Sequence, residues 1–109
     1  MKVRIISKMR YDMSVDMDVQ SVKDITGVFE DRMLWDISEA FEAYLNTNSP
    51  VEIYGLPYEV SDALHSVDSV RYNEEFQYFL EDTAKDIFDY IEDECEYDGK
   101  YFWVHFLED

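Results

Sequence analysis

The chain is poor in the residues that punctuate, cross-link and counterbalance a fold. Of 109 residues, three are glycine, two are proline, one is cysteine and nine are lysine or arginine. A lone cysteine, Cys95, excludes an internal disulfide and fits a reducing compartment. With so few glycines there is no phosphate loop, no dinucleotide fingerprint and no G-x-S-x-G nucleophile turn. No apolar run approaches the ~20 residues of a membrane span, and the N-terminus lacks the apolar core of a signal peptide. A cytoplasmic protein with no membrane partner is therefore expected. Bases are too scarce for direct nucleic-acid binding, because only Lys2, Arg4, Lys8 and Arg10 cluster.

What is present is an aromatic, acidic, globular composition. Hydrophobic residues make up 47% and aromatics 17%, far more than a charge-rich disordered tail carries. The length suits one domain spanning 1–109 with no metal or disulfide needed to hold it. Asp and Glu number 26, so the formal charge is −17. Self-repulsion at that charge opposes compaction, and the surface attracts basic proteins while repelling nucleic acid and anionic membranes. Acidity also serves solubility in general, which is the plainer account of it.

Residues 2–20 alternate strictly. Val3, Ile5, Met9, Tyr11, Met13, Val15, Met17 and Val19 take odd positions, and charged or polar residues take most even ones. Period two predicts a strand with one buried face, either one long bent strand or two strands turning near 8–12. No Gly or Asn stands there to form a tight hairpin. From Lys23 to Asn46 the apolar spacing becomes three and four (Ile25, Phe29, Met33, Ile37, Phe41, Leu45), which predicts one helix with Asp24 at its start. Val51–Tyr54 reads as a short strand closed by Gly55 and Pro57, and Ser61 as the cap of a brief helix to Val67. A long helix then begins at Ser69 or Asn73, Asp98-Gly99 signals a turn, and 100–107 reads as a final strand interior to the sheet. The expected class is α+β, order β(β)αβααβ. It has an antiparallel or mixed sheet of three to four strands, two main helices and one short helix.

Catalytic constellations are weak. The nearest calcium-loop match begins at Glu94 and runs through Glu96, Asp98 and Gly99, but its twelfth position is His105 rather than a bidentate carboxylate. Asp12, Asp16 and Asp18 share the even side of the N-terminal strand and read as a solvated face. Carboxylates around Cys95 disfavour its thiolate, so it reads as an inert packing residue. His65 and His105 read as structural. No cofactor and no enzymatic activity are expected.

The stretch 69–98 stands apart. Between Glu74 and Asp98 there are eleven carboxylates and a single base, Lys85. Its apolar residues (Tyr72, Phe76, Phe79, Leu80, Ala84, Ile87, Ile91) form one helical stripe. Helix spacing then sets Glu75, Glu81, Asp82, Asp86, Asp89 and Asp93 along one outer face, flanked by Glu74, Glu92 and Glu96, and Glu94 joins them as a candidate partner-binding residue. The spacing is comparable to that of phosphates on a nucleic-acid strand, so a rigid carboxylate ladder can occupy a groove shaped for phosphates. Tyr78, Phe88, Tyr90 and Tyr97 lie among the acids and add contact area.

In size, charge and its acid-lined helix the chain resembles the small acidic DNA mimics encoded by phages and mobile elements, the anti-CRISPR and anti-restriction inhibitors. The run GLPYEVSDALHSVD at 55–68 also resembles small phage proteins. The resemblance implies stoichiometric inhibition of a host defence protein, a Cas effector or restriction enzyme, through its basic nucleic-acid groove. It carries over no fold and no functional residue. Two other readings stay open: an immunity protein or antitoxin that plugs a basic toxin site, and a phage assembly protein that associates through a sheet edge or through Trp35 and Trp103. The oligomeric state is open between monomer and homodimer.

Overall fold

A computed structural model describes residues 1–10 and 12–107. The alternating stretch folds as two antiparallel strands, β1 (Lys2–Ser7) and β2 (Ser14–Asp18), with Val3 opposite Met17 and Ile5 opposite Val15. A serine makes the turn that no Gly or Asn supplies. The Met9 and Arg10 N–H groups donate to the Ser7 hydroxyl at 3.1 and 3.3 Å, and the Ser7 N–H donates to the Met13 carbonyl at 2.9 Å. Cross-strand partners share parity in this register, so odd residues face inward on both strands. Tyr11, one of the alternating residues, lies outside the described residues.

The helical pattern of 23–46 divides into α1 (Val22–Asp31) and α2 (Leu34–Leu45), which corrects the single helix expected. Met33 forms the joint. It is fully buried, its φ of −129° leaves the helical region, and its N–H reaches back five residues to the Val28 carbonyl at 3.0 Å. Neither Gly nor Pro marks the break, and the apolar period continues because both helices contribute to the same core. Asp24 holds the start of α1 from inside the first turn. Its carboxylate accepts from the Gln20 and Ser21 N–H groups at 2.8 and 3.1 Å.

The chain continues through β3 (Val51–Ile53), β4 (Leu56–Tyr58), α3 (Val60–Val67), α4 (Ser69–Glu92), β5 (Tyr97–Asp98) and β6 (Phe102–Phe106). The class is α+β. The order is ββααββααββ: the N-terminal hairpin is the two-strand alternative, and the expected order and counts are corrected at two points, the α1–α2 break and the extra strands β4 and β5. The main sheet is antiparallel, order β2-β1-β6-β5. β6 is interior to it as expected, yet only one of its faces is buried, since Phe102 and Val104 point in and Trp103 stays exposed. β3 and β4 form a separate hairpin outside that sheet. Ser61 does not cap α3. It lies buried in the first turn, where its N–H donates to the Asn46 side-chain oxygen at 3.0 Å.

One core lies between the sheet and the helices. It joins Val3, Ile5, Val15, Phe102 and Val104 to Ile25 and Phe29 of α1, Ile37 and Ala40 of α2, and Leu80, Ala84, Ile87 and Ile91 of α4. The first half of α4 extends past this core. There Phe41 of α2 meets Tyr72, Phe76 and Phe79 at ring separations of 5.2 to 5.5 Å. The molecule is accordingly elongated, 57 × 24 × 22 Å, and α4 accounts for about 36 Å of that length at 1.5 Å per residue. Among the described residues no helix is long and apolar enough to cross a membrane.

Candidate partner-binding surface

α4 positions most of the predicted acids. Asp68 caps its start by accepting from the Arg71 N–H at 2.9 Å, which selects Ser69 over Asn73 as the first helical residue. Leu80, Ala84, Ile87 and Ile91 are buried, so the opposite side of the helix must face water. Glu74, Glu81, Asp82, Asp86, Asp89 and Glu92 are all exposed, and Glu75 is half-buried.

These seven do not share one face. At about 3.6 residues per turn, Glu74, Glu81 and Glu92 fall on one flank, Glu75 and Asp86 on the other, and Asp82 and Asp89 between them. The flanks stand roughly 120° apart about the axis. The surface relief agrees with this division. A groove between α1 and α4 is lined by Glu81, Asp82, Asp89 and Glu92 together with Lys23 and Lys85. A second, between α2 and α4, is lined by Glu75, Asp82 and Asp86 with Phe41, Tyr44, Tyr78, Phe79 and Thr83. Glu75 through Asp89 therefore form a convex array with two acidic flanks, a correction to the single ladder expected.

The last three candidates leave the helix altogether. Asp93 is the C-cap, Glu94 takes the left-handed conformation (φ 58°), and Glu96 lies in the connection to β5. The Glu94 N–H donates to the Ile91 carbonyl at 3.0 Å and the Cys95 N–H to the Tyr90 carbonyl at 2.9 Å. This is the ending that glycine normally makes. Without Gly or Pro there, the sequence showed no reason for the helix to stop. Glu94 lines a different depression, with Met1, Lys2, Phe106 and Leu107. Cys95 is exposed rather than packed, which corrects its expected role.

Counterions for the array are few. Arg4 binds Asp16 through two bonds of 2.6 and 3.0 Å, Lys8 binds Asp98, and Arg10 binds Asp36 at 3.1 and 2.6 Å. The N-terminal bases named here are thus paired with acids outside α4. Among the described residues, the ion pair that involves an α4 carboxylate is Arg71–Glu75 at 3.0 Å.

The strongest electrostatic feature lies outside the predicted set. Asp36 is fully buried at the start of α2. Burial pushes its carboxyl up, but the hydrogen bonds from Arg10 and Ser7 outweigh this and hold it below the usual value. The Arg10 guanidinium also lies 4.9 Å over the exposed Trp35 ring. No local pattern could have paired residues 26 apart, although an Asp at a core-facing helix position was a signal that some base must reach it.

His65, in α3, meets Tyr72 edge-on at 5.0 Å, and His105, in β6, stacks on Trp103 at 5.0 Å. Among the described residues no three His, Cys, Asp or Glu side chains are grouped to hold a metal ion. What the surface offers chemically is attraction for cations. No protein-family model, curated protein or solved structure matches the chain.

Proposed function

We propose that this protein is a non-enzymatic inhibitor that occupies the basic nucleic-acid groove of a host defence protein, a Cas effector or a restriction enzyme, in the host cytoplasm. One observation carries the reading: the outer surface of α4 displays seven carboxylates from Glu74 to Glu92, of which, among the described residues, Glu75 alone is held in an ion pair. From Glu74 to Glu92 the axis rises about 27 Å, so seven acids fall roughly every 4.5 Å. A duplex strand carries one charge per about 3.4 Å. A groove that holds Lys and Arg for phosphates meets a comparable charge density along this helix. The protein itself binds no nucleic acid in this reading, and it acts stoichiometrically without a cofactor.

The test is capture of targets from host lysate, eluted by rising salt, beside the variant Asp82→Lys/Asp86→Lys/Asp89→Lys. These three side chains are exposed, so the variant is expected to fold. The native protein should retain a nucleic-acid-binding protein that free DNA or RNA displaces, and the variant should retain none. Equal capture by the variant, or no basic protein captured at low salt, sinks the proposal.

A second reading, an assembly protein, is favoured by a different observation. Val51, Tyr54, Leu56 and Tyr58 of the outlying hairpin are exposed, as are Trp35 and Trp103. Size in solution separates the two, since a strict monomer at high concentration argues against assembly.

A further inference from the structure

The two flanks of α4 are chemically unlike, and the difference selects one of them. The α1–α4 groove carries its own lysines, Lys23 and Lys85, beside its acids. The α2–α4 groove is lined by three carboxylates and no base, and its remaining walls are four aromatic rings and Thr83. Among its lining residues Phe41 is buried, with its ring 5.5 Å from that of Phe79, and Tyr44 and Phe79 lie face-inclined at 5.3 Å with an interplanar angle of 33°. Tyr44 and Tyr78 are 52% and 60% exposed, a large amount for rings that border a cleft. The accessible space is about 250 Å³. That lies below the roughly 300 Å³ at which pockets for small-molecule ligands begin, and it leaves room for a single long side chain.

From this geometry we infer that the α2–α4 groove is an arginine-binding cleft. It receives one guanidinium of the basic partner between the Tyr44, Tyr78 and Phe79 rings, with Asp82 and Asp86 as its carboxylate partners. The inference rests on the proposed function and names the point at which such a partner anchors. Arginine suits the cleft better than lysine for two reasons. Its planar head stacks on aromatic faces and is weakly hydrated, whereas an ammonium is a compact, strongly hydrated charge. Its several N–H groups also reach two carboxylates at once. The chain shows the same chemistry at the border of the cleft. The Arg71 guanidinium binds Glu75 at 3.0 Å, and Lys100 lies 5.6 Å over Tyr101, which meets Phe79 at 6.0 Å. Glu75 is thus already satisfied, and Asp82 and Asp86 are the acids left for an incoming cation.

The test is an NMR titration of the full chain with oligo-arginine and oligo-lysine peptides of equal length, repeated on Tyr44→Leu/Tyr78→Leu. This variant keeps the charge and most of the apolar bulk and removes the ring faces. A control, Glu52→Gln, removes one exposed acid from the outlying hairpin, away from α4. Oligo-arginine should shift the resonances of Tyr44, Tyr78, Phe79 and Asp86 first. It should bind about tenfold more weakly to the tyrosine variant and within about twofold of normal to the control. Shifts spread evenly along α4, with arginine and lysine peptides binding alike and the tyrosine variant unchanged, would overturn the cleft and leave the acidic-surface proposal standing. Absence of binding by either peptide at low salt would overturn both.

Discussion

Asp36 and Arg10 show how much a single pair decides. The carboxylate is fully buried and the guanidinium is half-exposed, so removing one partner strands a charge or wastes its hydrogen bonds. Asp36→Asn should cost about 2 kcal/mol at neutral pH, near the worth of hydrogen bonds to a charged group. The folded-state pKa of Asp36 is depressed, so its contribution is complete above its unfolded pKa of about 4 and is lost as pH falls through the lower folded value. Denaturant melts from pH 7 downward should show native and variant converging below about pH 4. A gap that stays constant across that range would mean the pair is not responsible. Glu94 is the opposite case, a residue that costs stability. A side chain with a Cβ is strained in the left-handed conformation by about 1 kcal/mol. Glu94→Gly should therefore stabilise by about 0.5 kcal/mol after glycine's greater unfolded-state freedom is set against the gain. Glu94→Ala removes the same charge and keeps the Cβ, so an equal gain in both variants would assign the effect to charge.

At the scale of elements, the outlying hairpin is the least secured part of the fold. β3 and β4 are joined by Tyr54 and Gly55 at φ 53° and 77°, a mirror-image turn that Asn-Gly would favour. Tyr54 is 100% exposed and therefore gains nothing from burial to offset that conformation. Tyr54→Asn should slow amide exchange at Ile53 and Leu56 and Gly55→Ala should speed it, the latter by about fivefold for a cost of about 1 kcal/mol. Exchange rates unaffected by either change would show that the turn does not govern the hairpin. Elements were legible in the sequence in proportion to their periodicity. The buried stripe of α4 and the inward face of β1 and β2 followed from spacing alone. The turn at Ser7, the break at Met33 and the helix end at Glu94 did not, because a serine hydroxyl, a buried methionine and a strained glutamate stand where Gly, Asn or Pro would have signalled them. β4 was missed because Pro57 argues against a strand, yet proline is tolerated in a two-stranded hairpin with free edges.

For the molecule as a whole, the governing quantity is its charge of −17. Self-repulsion should make stability rise with ionic strength: the melting temperature should increase by several degrees as salt goes from about 0.01 M to about 1 M and the screening length falls from roughly 30 to 3 Å. A melting temperature that falls with salt would show that the surface ion pairs outweigh the repulsion. The same salt should weaken any basic partner, so stability and binding are expected to move in opposite directions. Composition and period determined the α+β class, the acid-rich helix and which of its residues are buried, because these depend on local spacing and summed charge. The tertiary structure alone decided that the acids divide between two grooves, that lysines from α1 and α4 share one of them, and that aromatic rings from α2 line the other. Those outcomes depend on which helix packs against which side of α4, and that is set by contacts between residues far apart in the chain, which no local pattern records.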